Sequence, residues 1–155
     1  MSGSSLGPGT IEWRGVQYRT LLSSEETKGA MSIVDSLSPA GSGPPRHIHA
    51  DADETFVLLE GDVEFWVAGQ HFRRRPGETM FVPRNTEHTF QVPGPAPSRH
   101  LTILTPGGFE GFFSAMADGA LRIPEDMEAI VGIASRFHLT FTGPPLPVET
   151  GTAAA

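Results

Sequence analysis

The chain has 155 residues, 38% of them hydrophobic and 19% charged, a balance that excludes a disordered chain and predicts one domain with a single core. Its formal net charge is −7, from acidic residues scattered along the chain, which argues against nucleic acid or an anionic membrane as the main partner. Cysteine is absent, which excludes a disulfide framework, a thiolate metal site and a thiol nucleophile.

In chain order, residues 1–10 read as a flexible leader. They lack the charged region and apolar stretch of a secretion signal, and no apolar run approaches the ~20 residues of a membrane span. The expectation is a soluble, cytoplasmic protein. Over residues 11–105 the segments "IEW", "VQYRTLL", "AMSIVD", "ETFVLLE", "VEFWVA", "QHFRR", "ETMFVP", "EHTFQV" and "RHLTILT" have strand composition. The breaks between them are rich in Gly, Pro, Asn and Asp, the residues that turns require. Many short strands with hairpin-length connections predict an all-β antiparallel sandwich or barrel. Internal repeats are not evident, so one barrel is expected. The run Arg73-Arg74-Arg75 reads as a solvated strand end before the Pro76-Gly77 turn.

Beyond Gly108 the periodicity becomes helical. Phe109, Phe112, Phe113 and Met116 recur at helix spacing, then Met127, Ile130, Val131 and Ala134. Pro124, followed by Glu125 and Asp126, suits a helix start. Residues 106–142 are therefore expected to form a C-terminal helical extension packed on the barrel, as core or as cover for a pocket. Residues 143–155 read as a loop-like tail.

The stretch "PPRHIHADADETFVLLEGD", residues 44–62, carries the chemistry. Successive strand residues point to opposite faces, so His47 and His49 share a face, separated by roughly 7 Å of rise, and can converge on one ion. Glu54 follows five residues after His49, an odd interval that an unbroken strand would send to the other face. The small, acidic "ADAD" between them is where a turn or bulge can reset the alternation, with Asp51 and Asp53 as turn residues. His88 opens a strand after the Pro83–Thr86 turn, and a neighbouring strand can carry it to the first pair. Three imidazoles and a carboxylate suit one divalent transition metal ion (Fe, Mn, Co, Ni, Cu or Zn) far better than Mg or Ca. Four such ligands leave an octahedral ion two open positions for substrate, water or dioxygen. His71, His100 and His138 have no partner at ligand spacing and read as solvent-facing or packing residues.

These residues resemble a known family. Gly41, His47, His49, Glu54 and Gly61 stand at every fixed position of the first cupin motif, G(x)5HxH(x)3–4E(x)6G. Gly77, Pro83 and His88 are similar to the second motif, G(x)5PxG(x)2H(x)3N, with Asn85 in place of its inner glycine and Val92 in place of its final asparagine. Asn tolerates the left-handed backbone that a turn glycine supplies, and the asparagine lies outside the metal sphere. The segments "TPGGFEGFF" and "FTGPPL" resemble small single-domain cupins of the quercetin dioxygenase-like type.

The resemblance implies a double-stranded β-helix, a jelly-roll of two antiparallel sheets, with His47, His49, Glu54 and His88 as metal ligands. It implies iron, manganese or nickel as the usual ion and a homodimer as the usual assembly. The activity implied is a metal-dependent dioxygenase acting on a small enol or aromatic substrate, with Glu54 as ligand and as base for a substrate hydroxyl. Alternation places Phe56 and Phe90 on the faces of Glu54 and His88, and Phe65 toward the same interior, so these three are candidate pocket walls as well as candidate core. Two alternatives stay open: a non-redox isomerase, decarboxylase or hydrolase using the ion as a Lewis acid, and a non-catalytic metal- or small-molecule-binding cupin. "HIHADA" also begins like the HxHxDH signature of metallo-β-lactamase-like hydrolases, but Ala52 stands where that signature needs histidine.

Overall fold

The computed structural model describes residues 6–147. Eleven strands and two helices follow in order: β1 (Ile11–Trp13), β2 (Val16–Leu22), β3 (Ser32–Ser38), β4 (Arg46–His49), β5 (Asp53–Glu60), β6 (Val63–Val67), β7 (Gln70–Arg74), β8 (Thr79–Val82), β9 (His88–Gln91), β10 (Ser98–Thr105), α1 (Glu110–Gly119), α2 (Met127–Arg136) and β11 (Leu139–Gly143). The strands form a six-stranded sheet, β1-β2-β3-β10-β5-β8, and a five-stranded sheet, β11-β4-β9-β6-β7, with antiparallel pairing throughout. Chain neighbours such as β4 and β5 fall in different sheets, so the chain winds between layers as a jelly-roll does.

Burial follows the strand period of two. On β5, Glu54, Phe56 and Leu58 point inward and alternate with Thr55, Val57 and Leu59; on β10, His100, Thr102 and Leu104 alternate with Leu101, Ile103 and Thr105. One end of the barrel is filled by Phe56, Leu58, Val63, Phe65, Met80 and Val82. A second cluster, centred on Phe112, Met116, Ile130, Ala134 and Leu139, joins both helices to the barrel. No helix among the described residues is long and apolar enough to cross a membrane.

Four departures from the sequence expectation have physical causes. Of residues 1–10, read as a flexible leader, residues 1–5 lie outside the described residues, and residues 6–10 are held against β2: Leu6 is buried, and Arg19 donates to the carbonyls of Pro8 (3.0 Å) and Leu6 (2.9 Å). β3 runs on through Ser36 and Ser38, whose poor strand propensity hid it. The second helix starts at Met127 instead of Pro124, because the Asp126 carboxylate accepts the Arg122 amide (2.8 Å) and so closes a turn ahead of the helix. The segment expected to leave the helix as extension and tail instead forms β11 on the edge of β4, with Leu139 opposite His49 and Phe141 opposite His47. Residues 148–155 of the expected tail lie outside the described residues.

The β5–β6 turn shows how tightly the layers meet. Gly61 adopts φ +68°, and a Cβ there would collide with the Pro97 carbonyl oxygen, whereas Gly69 at φ +85° faces open space. Gly61→Ala is therefore expected to cost about 2 kcal/mol or more, combining a left-handed penalty of about 1 kcal/mol with steric overpacking. Gly69→Ala is expected to cost about 1 kcal/mol, the backbone penalty alone. Urea-unfolding midpoints of the two variants check this, and equal shifts would contradict it.

Candidate metal centre

His47 and His49 alternate with Arg46 and Ile48 on β4 and point into the barrel. The chain then leaves the five-stranded sheet through Ala50-Asp51-Ala52 and enters the other sheet as β5. The odd interval to Glu54 is thus resolved by a crossing between sheets, so the carboxylate faces the histidines from the opposite wall. Within the five-stranded sheet β9 lies beside β4 and places His88 directly opposite His47. The turn ahead of His88 takes its left-handed residue from Asn85, at φ +63°, whose amide donates to the His49 carbonyl (2.8 Å). Val92, in place of the motif's asparagine, is buried, and its backbone pairs with Ser42 (2.9 Å) and Gly41 (2.8 Å).

The four side chains meet. His47, His49, Glu54 and His88 are all buried, and one ligand atom from each lies within 4.8 Å of all the others. Glu54 Oε1 is 2.9 Å from His88 Nε2 and 3.6 Å from His49 Nε2. His47 Nδ1 and His88 Nδ1 each lie 2.8 Å from a backbone carbonyl, of Pro45 and Thr86 respectively. Such a carbonyl accepts the Nδ1 proton, which fixes the ring and turns the Nε2 lone pair toward the cluster, as outer contacts do for metal-binding histidines. His49 Nδ1 is buried with no hydrogen-bond partner. A buried set of three imidazoles, two of them oriented by carbonyls, and one carboxylate suits a single transition metal ion.

The electrostatics favour the ion-ready state, with one exception. Burial, reinforced by His88 and His49, pushes the His47 pKa down to about 3, and burial likewise lowers His49 despite the pull of Glu54. Burial raises the Glu54 carboxyl, but His49, the His88 hydrogen bond and His47 outweigh it and bring it to about 2. A neutral His49 exerts no such pull, which leaves the His88 hydrogen bond as the contact that favours the carboxylate. Burial acts against His88 too, yet the hydrogen bond and charge of Glu54 raise it above the ordinary 6.5. The proton the cluster holds most readily is therefore that of His88, on its contact with Glu54.

Beside the cluster lies a cavity of about 350 Å³. Of the three expected pocket phenylalanines, Phe56 and Phe90 line it. Phe65 does not: it is wholly buried behind Phe56, ring centroids 4.9 Å apart, and belongs to the core. Alternation gave its face but not its depth. The first helix supplies the opposite wall through Phe109, Phe112 and Phe113, with Phe109 edge-on to His49 at 4.5 Å. This stripe is packing and pocket cover at once. Leu139 and Phe141 of β11, Tyr18 of β2 and His100 of β10 also line the cavity. His100, read from sequence as packing or solvent-facing, is buried against Phe56 and Phe90. Its inward parity with Leu104 was the signal available. His71 is exposed on β7, and exposed His138 lies 3.7 Å from Asp51. Arg73 forms surface ion pairs with Asp62 and Glu64, both at 2.9 Å, as a solvated strand end does.

Residues 34–104 match the family model of the cupin domain, Cupin_2. Over 101 residues the chain is 33% identical to quercetin 2,3-dioxygenase of Bacillus subtilis, covering 65% of this chain and 30% of that protein. It is 26% identical over 110 residues to quercetin 2,3-dioxygenase of Aspergillus japonicus, covering 66% and 31%. The chain thus spans about 30% of the length of these curated relatives. A Thermotoga maritima structure described as a predicted oxalate decarboxylase superposes with TM-score 0.59 over 68% of this chain and 99% of that one, at 23% identity, a likeness of fold. With the two-sheet barrel and the buried quartet, these matches identify a cupin domain over residues 34–104 that resembles the quercetin dioxygenases.

Metal uptake should follow the geometry. After loading with manganese and dialysis, elemental analysis is expected to find close to one equivalent in the natural protein and at least tenfold less in His88→Ala, with His71→Ala unchanged. Equal effects of the two variants would contradict the assignment. Because an ion must displace the His88 proton, affinity should fall about tenfold per pH unit below the His88 pKa and level off above it. An affinity independent of pH from 5 to about 8 would contradict displacement of a His88 proton on binding.

Proposed function

We propose that the protein is a metal-dependent dioxygenase of the quercetin dioxygenase-like type, acting on a small planar enol or aromatic substrate. The observation that carries this reading is a buried His47, His49, Glu54 and His88 cluster that opens, through His47, His49 and Glu54, onto a cavity walled by phenylalanines. The resemblance to two quercetin 2,3-dioxygenases supports it. The four residues would hold one iron, manganese or nickel ion, which supplies the redox chemistry with dioxygen that no side chain here can supply.

The chain's own residues would do the rest. Phe56 and Phe90 on one side and Phe109 and Phe113 on the other form flat apolar surfaces that hold a planar ring system and keep water from it. Glu54 lines the cavity as an ionised carboxylate, and is thereby placed to accept the proton of a substrate enol or hydroxyl entering beside it.

Oxygen-electrode measurements test the proposal. Iron-, manganese- or nickel-loaded protein is expected to consume oxygen with at least one class among flavonols, 1,3-diketones and catechols. Glu54→Gln should lower the rate by about a hundredfold or more, the usual contribution of a positioned base. No uptake in any loaded form would overturn the dioxygenase reading and favour Lewis-acid chemistry or plain binding at the same centre.

A further inference from the structure

The cavity has a second polar end, remote from the metal-binding cluster. On the six-stranded sheet, Tyr18 of β2 lies opposite Ser36 of β3, and Ser36 lies opposite His100 of β10. All three line the cavity, forming a polar row across neighbouring strands. Glu54 pairs with Leu104, four residues along β10 from His100, so the row sits roughly 13 Å along the strand from the level of the carboxylate, at ~3.3 Å per residue. Between the two levels Thr102 of β10 also lines the cavity, and the His100 ring packs edge-on against Phe56 (5.4 Å) and Phe90 (5.5 Å).

His100 is 2% exposed, and its Nδ1 is buried with no hydrogen-bond partner. Among the described residues no side chain or backbone group hydrogen-bonds to the ring. A buried polar group left unpaired is costly; the His100 ring lines the cavity, and with Nδ1 sealed in the wall its other nitrogen, Nε2, is the one left for a ligand. Burial pushes its pKa down to about 4, so the ring is neutral and offers one donor and one acceptor without charge. The neutral ring itself offers a carboxylate or phosphate no counter-charge, the cation of the lining being Arg14 near Tyr18; a hydroxyl or carbonyl oxygen finds a matched partner in the ring.

We infer that His100, with Ser36 and Tyr18 beside it, binds the distal oxygen of an elongated aromatic substrate whose other end lies at the His47, His49, Glu54 and His88 cluster. His100 is thereby a specificity-determining residue that selects phenolic or carbonyl-bearing ring systems over unsubstituted ones. This rests on the cavity being the substrate site, as in the proposed function, but not on the reaction performed there.

The test compares 3-hydroxyflavone with its 4′-hydroxy derivative as probes. Their affinities are measured by titration calorimetry on zinc-loaded protein under argon, where no oxygen chemistry intervenes. The natural protein is expected to favour the 4′-hydroxy probe about tenfold, the effect of one buried hydrogen bond. In His100→Phe the ratio should fall to about one, and His100→Gln, which keeps a donor and an acceptor, should restore part of it. Overturning results are no preference in the natural protein, a preference that survives in both variants, or no binding of either probe. The ratio is readable in a protein that consumes no oxygen, and oxygen uptake is readable where the ratio is flat, so the two proposals fail separately.

Discussion

Everything in this structure turns on bringing three imidazoles from one sheet against one carboxylate from the other in a water-poor interior. Ionisable groups do not gather there cheaply, since each loses its hydration. The chain meets the cost with fixed partners: the Pro45 and Thr86 carbonyls hold the outer nitrogens of His47 and His88, and Glu54 holds the inner proton of His88. The short crossing at Ala50-Asp51-Ala52 is what makes the meeting possible. A continuous strand would have sent Glu54 out to solvent, while a crossing between sheets turns it back toward His49.

The surrounding elements protect that arrangement. β11 covers the open edge of β4 with Leu139 and Phe141, and the first helix lays Phe109 against His49. Without them His47 and His49 would sit on an edge strand. The same elements leave a gap, and that gap is the cavity. Its walls are aromatic near the helix and its far floor carries the Tyr18–Ser36–His100 row, so one construction shields the cluster and shapes what can reach it.

Much of this was legible in the chain. The barrel strands announce themselves through period-two alternation and Gly/Pro breaks, and the quartet through spacings that only a turn can reconcile. Asn85 shows the reasoning at one residue: expected to replace a turn glycine by tolerating left-handed backbone, it adopts φ +63°. What escaped has common causes. β11 is a five-residue Leu-Thr-Phe-Thr-Gly segment behind a helix, too short for its alternation to outweigh the helical pattern before it. Ser36 and Ser38 disfavour a strand in isolation and are tolerated because they face a cavity. Depth within the barrel is a property of three-dimensional layering, which is why Phe65 and Phe56 look alike in sequence while only Phe56 reaches the pocket.

The most direct measurement is anomalous diffraction at the manganese edge from crystals grown with that ion. A shared coordination site predicts a single strong peak inside the barrel, within about 2.0–2.3 Å of one nitrogen each from His47, His49 and His88 and of a Glu54 oxygen. A peak elsewhere, or an empty centre with the four side chains turned apart, would contradict it.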